Sequence, residues 1–262
     1  MGELEKLKVE VPSYQGNESL VGIITEPNER CPLCKGTNYV RASIGKIEPC
    51  ACWYGKGQQE SYERHSGLQS VQRDNTFLSF RQRQKISASD HKTLTDIVMY
   101  CKDYATSRTS MPWLILGGSM GWGKSHLAQA IVNERTADPE LGVAGHFVKA
   151  QQVLQSLRDA YDHGSYTNVI RKYKESPLLV LDDLGATSNK RSDDEALSWV
   201  DEQMLTILDH RSNERMETVI TLNVPLIRIE PRLRDRINDT GTGLCKIFAK
   251  ELPSYRTGEI QN

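Results

Sequence analysis

The sequence predicts an α/β fold, a parallel sheet with helices on both faces, joined to a small cysteine-rich N-terminal domain. Three observations carry that expectation. Short leucine or β-branched runs alternate with amphipathic stretches through most of the chain after Lys92, which is how strands buried on both faces read. A glycine-rich loop, Gly118-Ser119-Met120-Gly121-Trp122-Gly123-Lys124-Ser125, separates one such run from the next helix. Four of the six cysteines crowd into one short segment, while Cys101 and Cys245 stand alone.

Composition bounds the answer further. The chain has 262 residues, 38% hydrophobic and 26% charged, with a formal charge of -1; this is an ordinary globular composition with room for one large domain and a small one. No global basic field advertises nucleic acid or membrane, so any such surface must be local. The start, Met1-Gly2-Glu3-Leu4-Glu5-Lys6, is charged, and no apolar stretch approaches the roughly 18 residues a membrane helix needs. The expectation is a cytoplasmic protein with no membrane contact.

Residues 1 to about 28 alternate weakly and carry Pro12, Gly16, Gly22 and Pro27, which predicts an irregular or short-strand arm. The cysteine segment follows, from Glu29 to about Gly57. Residues 58 to 90 are rich in Gln, Arg, Ser and Lys and read as an exposed helix and linker. The domains expected are therefore 1-60, a linker over 61-90, and 91-262. In the last, Leu94, Ile97, Val98, Cys101 and Tyr104 recur at helical spacing, and Trp113-Leu114-Ile115-Leu116 is a buried strand after Pro112. Helices are expected over Leu127 to Thr136, Gln151 to Tyr161 and Asp194 to Ser212. Strands are expected over Gly145 to Val148, Leu178 to Leu181 and Thr218 to Leu222.

Cys31-Pro32-Leu33-Cys34 and Cys50-Ala51-Cys52 form two knuckles separated by a hairpin-length spacer in which Tyr39-Val40-Arg41 starts a strand. Four thiolates at this spacing suit tetrahedral Zn2+ in a closed structural site. A redox CxxC or an iron-sulfur cluster would draw on the same ligands. A domain this small needs metal in place of a core, so the zinc is first a folding device. His65, His91, His126 and His163 have no ligand partners in sequence.

The loop from Gly118 to Ser125 satisfies G-x-x-x-x-G-K-[ST] and lies between a strand and a helix, the context that pattern requires. Its backbone N–H groups would cradle the β-phosphate at a helix N-terminus, Lys124 would bridge β- and γ-phosphates, and Ser125 would ligate Mg2+. Trp122 is bulky for such a loop, so its ring is expected to point outward, toward a neighbouring subunit. Leu178-Leu179-Val180-Leu181-Asp182-Asp183 is a buried strand ending in two acids. Asp182 would hold Mg2+ through water and Asp183 would orient or deprotonate the attacking water, although the shorter Asp stands where many such ATPases carry Glu. Asn223 ends the strand expected between these two and could position water against the γ-phosphate, or be a turn residue before Pro225. Arg232-Leu233-Arg234-Asp235-Arg236-Ile237 is a basic cluster that would stabilise phosphoryl transfer in a neighbour, or be a solvated helix face. The stretch after Asn223 is too short for a helical lid, so a neighbour is expected to cover the nucleotide.

From about Asn75 to Arg256 these residues resemble the AAA+ ATPases of the DnaC and IstB type, helicase loaders and transposase helpers. Asn75-Thr76-Phe77-Leu78-Ser79-Phe80 resembles the segment that leads into the family's core near the adenine. LLVLDDLG from Leu178 to Gly185 matches its second motif closely, whereas Thr221-Leu222-Asn223 departs slightly from its T-T-N or T-S-N. The family's D-R-[MIL] arginine finger falls on Arg236, Asp209-His210-Arg211 resembles the end of the preceding helix, and Ser254-Tyr255-Arg256 resembles the loaders' ending. The resemblance implies an ATPase that binds ATP and Mg2+, self-associates, and grips a replicative hexameric helicase through its N-terminal domain. It also implies a single-stranded DNA contact on an inserted helix, here Gln151 to Tyr173, where Arg158, Tyr161, Tyr166, Arg171, Lys172 and Tyr173 interleave cations and rings, or pack as an amphipathic pair. The function expected is ATP-dependent helicase loading onto single-stranded DNA during replication. The alternatives are an IstB-like transposase helper on duplex DNA and a non-hydrolysing adaptor.

Overall fold

The computed structural model describes residues 8–10, 21–23, 39–41, 47–49, 66–81, 86–137, 145–185 and 199–255. Near the N-terminus, β1 (Lys8–Glu10) pairs antiparallel with β2 (Val21–Ile23), and β3 (Tyr39–Arg41) with β4 (Ile47–Pro49). The second strand pair lies within the spacer between Cys34 and Cys50. The proposed zinc ligands Cys31, Cys34, Cys50 and Cys52 themselves lie outside the described residues. Among the described residues no group of three or more His, Cys, Asp and Glu is placed to hold a metal.

The large domain is a five-stranded parallel sheet in the order β6-β7-β8-β5-β9. Its strands are β5 (Trp113–Gly118), β6 (Gly145–Lys149), β7 (Leu178–Leu184), β8 (Glu217–Leu222) and β9 (Cys245–Lys250). Helices α1 (Ala88–Ala105) and α2 (Lys124–Ala137) lie on one face. The other face carries α3 (Ala150–Asp162), α4 (Tyr166–Glu175), α5 (Trp199–Asn213) and α6 (Pro231–Ile237). Strand side chains alternate between the two cores, as a period of two demands. Leu114, Leu116, Leu178, Val180 and Val219 point toward α1 and α2, whereas Trp113, Ile115, Leu179, Leu181 and Ile220 point the other way. Because both faces are covered, the strand runs carry no polar alternation, the feature that made them legible.

Local chemistry sets the ends of these elements. Ser87 caps α1 by accepting the Asp90 N–H at 3.0 Å, and the helix stops at Thr106 before Ser107 turns left-handed at φ 55°. Helix α2 starts three residues earlier than hydrophobic periodicity indicates, because the end of the glycine loop forms its first turn. Residues 186–198 lie outside the description, so α5 is seen from Trp199. Composition also misjudged part of the stretch read as an exposed linker. Leu68 and Phe77 are buried in the core with α1 and α2, and α2 holds the intervening chain through Asn133 Nδ2 donating to Asn75 O at 2.8 Å. Two apolar residues suffice to anchor a polar segment when a helix supplies side-chain donors for its carbonyls. Among the described residues no helix is long and apolar enough to cross a membrane.

His146, on edge strand β6, is nearly buried beside the Tyr173 ring, and burial, with Lys172 close by, lowers its pKa to about 4. The unfolded chain therefore takes up a proton below the ordinary histidine value near 6.5 that the folded chain refuses. Stability contributed by neutral His146 should be full above pH ~6.5 and fall as pH drops toward ~4, by up to roughly 3 kcal/mol. Urea denaturation of the parent and His146→Gln across that window checks this; equal slopes in the two chains would refute it.

Candidate functional site

The C-terminal ends of β5, β7 and β8 meet at one edge of the sheet, where loops of a parallel sheet gather functional groups. After β5 the chain passes through Gly118, Gly121 and Gly123 at φ 107°, 85° and 113°. A side chain would be strained at each and would also collide with a neighbour: the Lys250 carbonyl at Gly118, Ser254 at Gly121 and the Phe80 ring at Gly123. The Lys124 side chain, almost fully buried, donates to Gly118 O at 3.0 Å and Ser119 O at 2.6 Å. An ammonium held among carbonyls beside a helix N-terminus is a preformed site for phosphate oxygens.

Trp122 corrects the expectation of an outward ring. It is 3% exposed and joins the core containing Leu94 and Leu252, with its ring centroid 5.4 Å from Lys124 Nζ. The left-handed glycines on either side reverse the chain at residue 122, so the side chain turns inward where an extended loop would have thrown it out. The exposed loop residue is Met120.

The two acids at the end of β7 have different neighbours. Asp182 Oδ1 accepts from Ser125 Oγ and from Thr221 Oγ1, each at 2.7 Å. Asp183 sits at φ 60° and its Oδ1 accepts from Asn223 Nδ2 at 2.7 Å. Lys124, Ser125, Asp182, Asp183 and Asn223, which are far apart in sequence, are thus brought together. Such a set can hold a nucleotide's phosphates, a hydrated divalent cation and a water in line with the terminal phosphate.

Beside it lies a cavity of about 390 Å³, lined among others by Phe80, Ile86, Leu94, Trp122, Leu252 and Tyr255. An apolar hollow adjoining a phosphate cradle fits the base and sugar of a nucleotide. Its walls amend the expectation that a neighbour covers the nucleotide. After β9 the chain's own residues 251–255 return over the loop, with the Tyr255 N–H donating to Gly121 O at 2.7 Å and Ser119 Oγ to Leu252 O. Arg256, which ends the Ser254-Tyr255-Arg256 match, lies outside the described residues. On the opposite wall His126 Nε2 lies 2.9 Å from Thr76 O and its ring meets Phe80 edge to face. Burial lowers its pKa, so the neutral ring links the leading segment to α2. His126 carried no signal in sequence, because its partner is a backbone carbonyl fifty residues away.

The arginines divide into three kinds. Arg236 is partly exposed and held by Asp209 at 2.7 Å, which raises its pKa further. Arg232 and Arg234 belong to the same helix without a described ion pair. Arg211 is fully buried and structural, surrounded by carbonyls of the α4–β7 connection.

On α3 and α4, Tyr161 is exposed and meets Tyr166 edge to face, and Arg158 lies over the Trp199 ring at 5.0 Å. Tyr173 is not available for stacking on a base. It is buried in the core beneath Lys172, because its position completes the apolar face of α4.

Lys124→Ala should weaken ATP binding by about 10- to 100-fold, the cost of one or two charge-assisted hydrogen bonds to phosphate. Isothermal titration with a non-hydrolysable ATP analogue checks it; an unchanged affinity would remove the loop from the nucleotide site.

Comparison with known proteins gives the same picture. A family model described as IstB-like ATP binding protein matches residues 56–240. The replicative helicase loader DnaI of Bacillus subtilis (strain 168) is 30% identical over 111 residues, 42% of this chain and 32% of that protein. The crystal structure of the DnaC helicase loader superposes with a TM-score of 0.52 at 23% identity, covering 70% of this chain and 99% of that one. AMPPCP-bound DnaA from Aquifex aeolicus superposes at 0.51 and 19% identity, covering 67% and 50%. These two structural likenesses establish the fold, a parallel α/β P-loop core of the kind found in DnaC and DnaA. The chain spans about a third of the length of the DnaI it matches and half of that DnaA chain.

Proposed function

As the chain belongs to the family of IstB-like ATP binding proteins, we propose that it is an ATP-hydrolysing loader that places a replicative hexameric helicase on single-stranded DNA. The observation that carries the reading is the convergence of Lys124, Ser125, Asp182, Asp183 and Asn223 on one sheet edge beside the apolar cavity. The stretch of similarity to a helicase loader supports the choice of process.

In this reading Gly118 to Ser125 binds the ATP phosphates, with Lys124 on the β- and γ-oxygens. Ser125 and Asp182 would hold Mg2+, which when bound screens the phosphate charge. Asp183 and Asn223 orient the attacking water, and Arg236 of a neighbouring copy stabilises the charge that develops on the transferred phosphoryl. Assembly of copies would thereby switch on turnover. Residues 1-60 would form the helicase-gripping domain, folded around Zn2+ on Cys31, Cys34, Cys50 and Cys52, with 61-90 leading into the ATPase domain of 91-262. Arg158, Tyr161, Tyr166, Arg171 and Lys172 would touch single-stranded DNA; the exposed Tyr161 and the Arg158–Trp199 pair are the described groups that favour this.

Native mass spectrometry of the chain with its host's replicative helicase, with and without ATP, tests the proposal. Several copies on one helicase hexamer are expected, each carrying the added mass of one zinc ion. Absence of any complex under both conditions would overturn the loader reading, and ATP-dependent filaments on duplex DNA would replace it with the transposase-helper one.

A further inference from the structure

Strands β7 and β8 run in register through Val180↔Val219 and Leu181↔Ile220, then slip and resume at Leu184↔Leu222. Asp182 and Asp183 therefore stand opposite one residue, Thr221. This is a bulge, unusual between parallel strands, with its second residue in the left-handed region at φ 60°. A bulge withdraws a backbone N–H from the ladder, and a buried N–H needs a replacement acceptor. Here the acceptor is a side chain: the Asp183 N–H donates to Thr221 Oγ1 at 2.8 Å. The same hydroxyl donates its own hydrogen to Asp182 Oδ1 at 2.7 Å. Thr221 is fully buried, so no solvent can take over either bond.

We propose that Thr221 is a positioning residue for the nucleotide site, fixing both acids through one hydroxyl. Its bond to Asp182, together with that from Ser125, occupies Oδ1 and turns Oδ2 to the hydrated cation. Its bond from Asp183 holds the left-handed turn that carries the Asp183 carboxylate to Asn223 Nδ2. The inference rests on the reading that this site binds Mg–ATP. Valine has the shape of threonine but offers neither bond, whereas serine keeps both.

The test compares the full chain with Thr221→Val and Thr221→Ser, measuring fluorescent ATP binding against Mg2+ concentration, ATP turnover and thermal melting. Thr221→Val should bind nucleotide without Mg2+ as the parent does, require about tenfold more Mg2+ for half-maximal tightening, and turn over ~10- to 100-fold more slowly, as loss of an outer-shell partner does at metal sites. Thr221→Ser should stay within about threefold of the parent. A parental Mg2+ requirement in Thr221→Val, or a Thr221→Ser as defective as Thr221→Val, would overturn the proposal. Should melting show Thr221→Val unfolded, Thr221→Ala carries the same comparison. A parent that binds no Mg–ATP overturns the site reading itself, whereas a parent that binds it beside an unaltered valine variant overturns only the role of Thr221.

Discussion

Arg236→Ala is expected to leave ATP affinity within about twofold and to lower assembly-dependent turnover by about 10³-fold, the scale of an arginine supplied in trans to a transferring phosphoryl group. The split follows from where Arg236 lies. It lines neither side of its own chain's nucleotide cavity, so removing it subtracts nothing from binding there. Its guanidinium is preoriented by Asp209 on α5, with Nε donating at 2.7 Å and Nη1 3.6 Å from Asp235. The side chain keeps substantial exposure, so Nη groups not engaged by Asp209 can face a second copy. Steady-state phosphate release against protein concentration, with nucleotide affinity measured in parallel, reads both halves. If turnover survives in Arg236→Ala, the cluster's other cations, the exposed Arg232 or the half-buried Arg234, supply the charge. If turnover is lost, mixing Arg236→Ala with a Lys124→Ala chain decides the direction of action, because each variant retains the half-site the other lacks.

Arg211→Ala should destabilise the domain by about 3–5 kcal/mol, the scale of a few buried acceptors left without a donor at roughly 1–3 kcal/mol each. Arg211 is fully buried on α5, and burial lowers its pKa to about 10, which still leaves it cationic at neutral pH. Its Nη1 donates to the carbonyls of Tyr173, Lys174 and Ser176 at 3.1, 2.9 and 2.7 Å, its Nη2 to Glu217 O, and its Nε to Thr218 Oγ1 at 2.9 Å. One planar fork thus closes the α4–β7 connection against the start of β8. Alanine leaves several buried carbonyls without a donor, and lysine, a point charge with no fork, should rescue little. At roughly 2–4 °C per kcal/mol for a domain of this size, calorimetry should show a melting temperature about 10 °C lower. A shift under about 2 °C with lost ATP affinity would instead make Arg211 a nucleotide ligand.

Local patterns account for what was legible in advance. The sheet could be recognised because strands buried on both faces are built mainly of leucine and β-branched residues, and Leu178 to Leu181 or Thr218 to Leu222 have no other reading once helices flank them. The phosphate loop could be recognised because its geometry is made by consecutive residues: each glycine serves a turn that begins and ends within Gly118 to Ser125. The acids after Leu181 stand out by the same locality, as two charges directly following an apolar run, although β7 continues through them to Leu184 and Asp182 is itself buried.

Packing between distant segments decided the rest. The direction of Trp122 depends on a core formed with Leu94 and Leu252, which its bulk within a glycine loop, read locally as pointing outward, does not reveal. The burial of Leu68 and Phe77 depends on donors from α2, and Tyr173 turned inward because α4 spent its apolar face on the sheet. Thr221 differs from any other strand threonine only through a one-residue slip against β7, which exists only after the two strands pair. Hydrogen bonds across a sheet and side chains shared between elements have no fixed spacing in sequence. The amino-acid order therefore determined the fold class and the phosphate cradle, and the tertiary structure determined how Asp182 and Asp183 are aimed and which side chains wall the cavity.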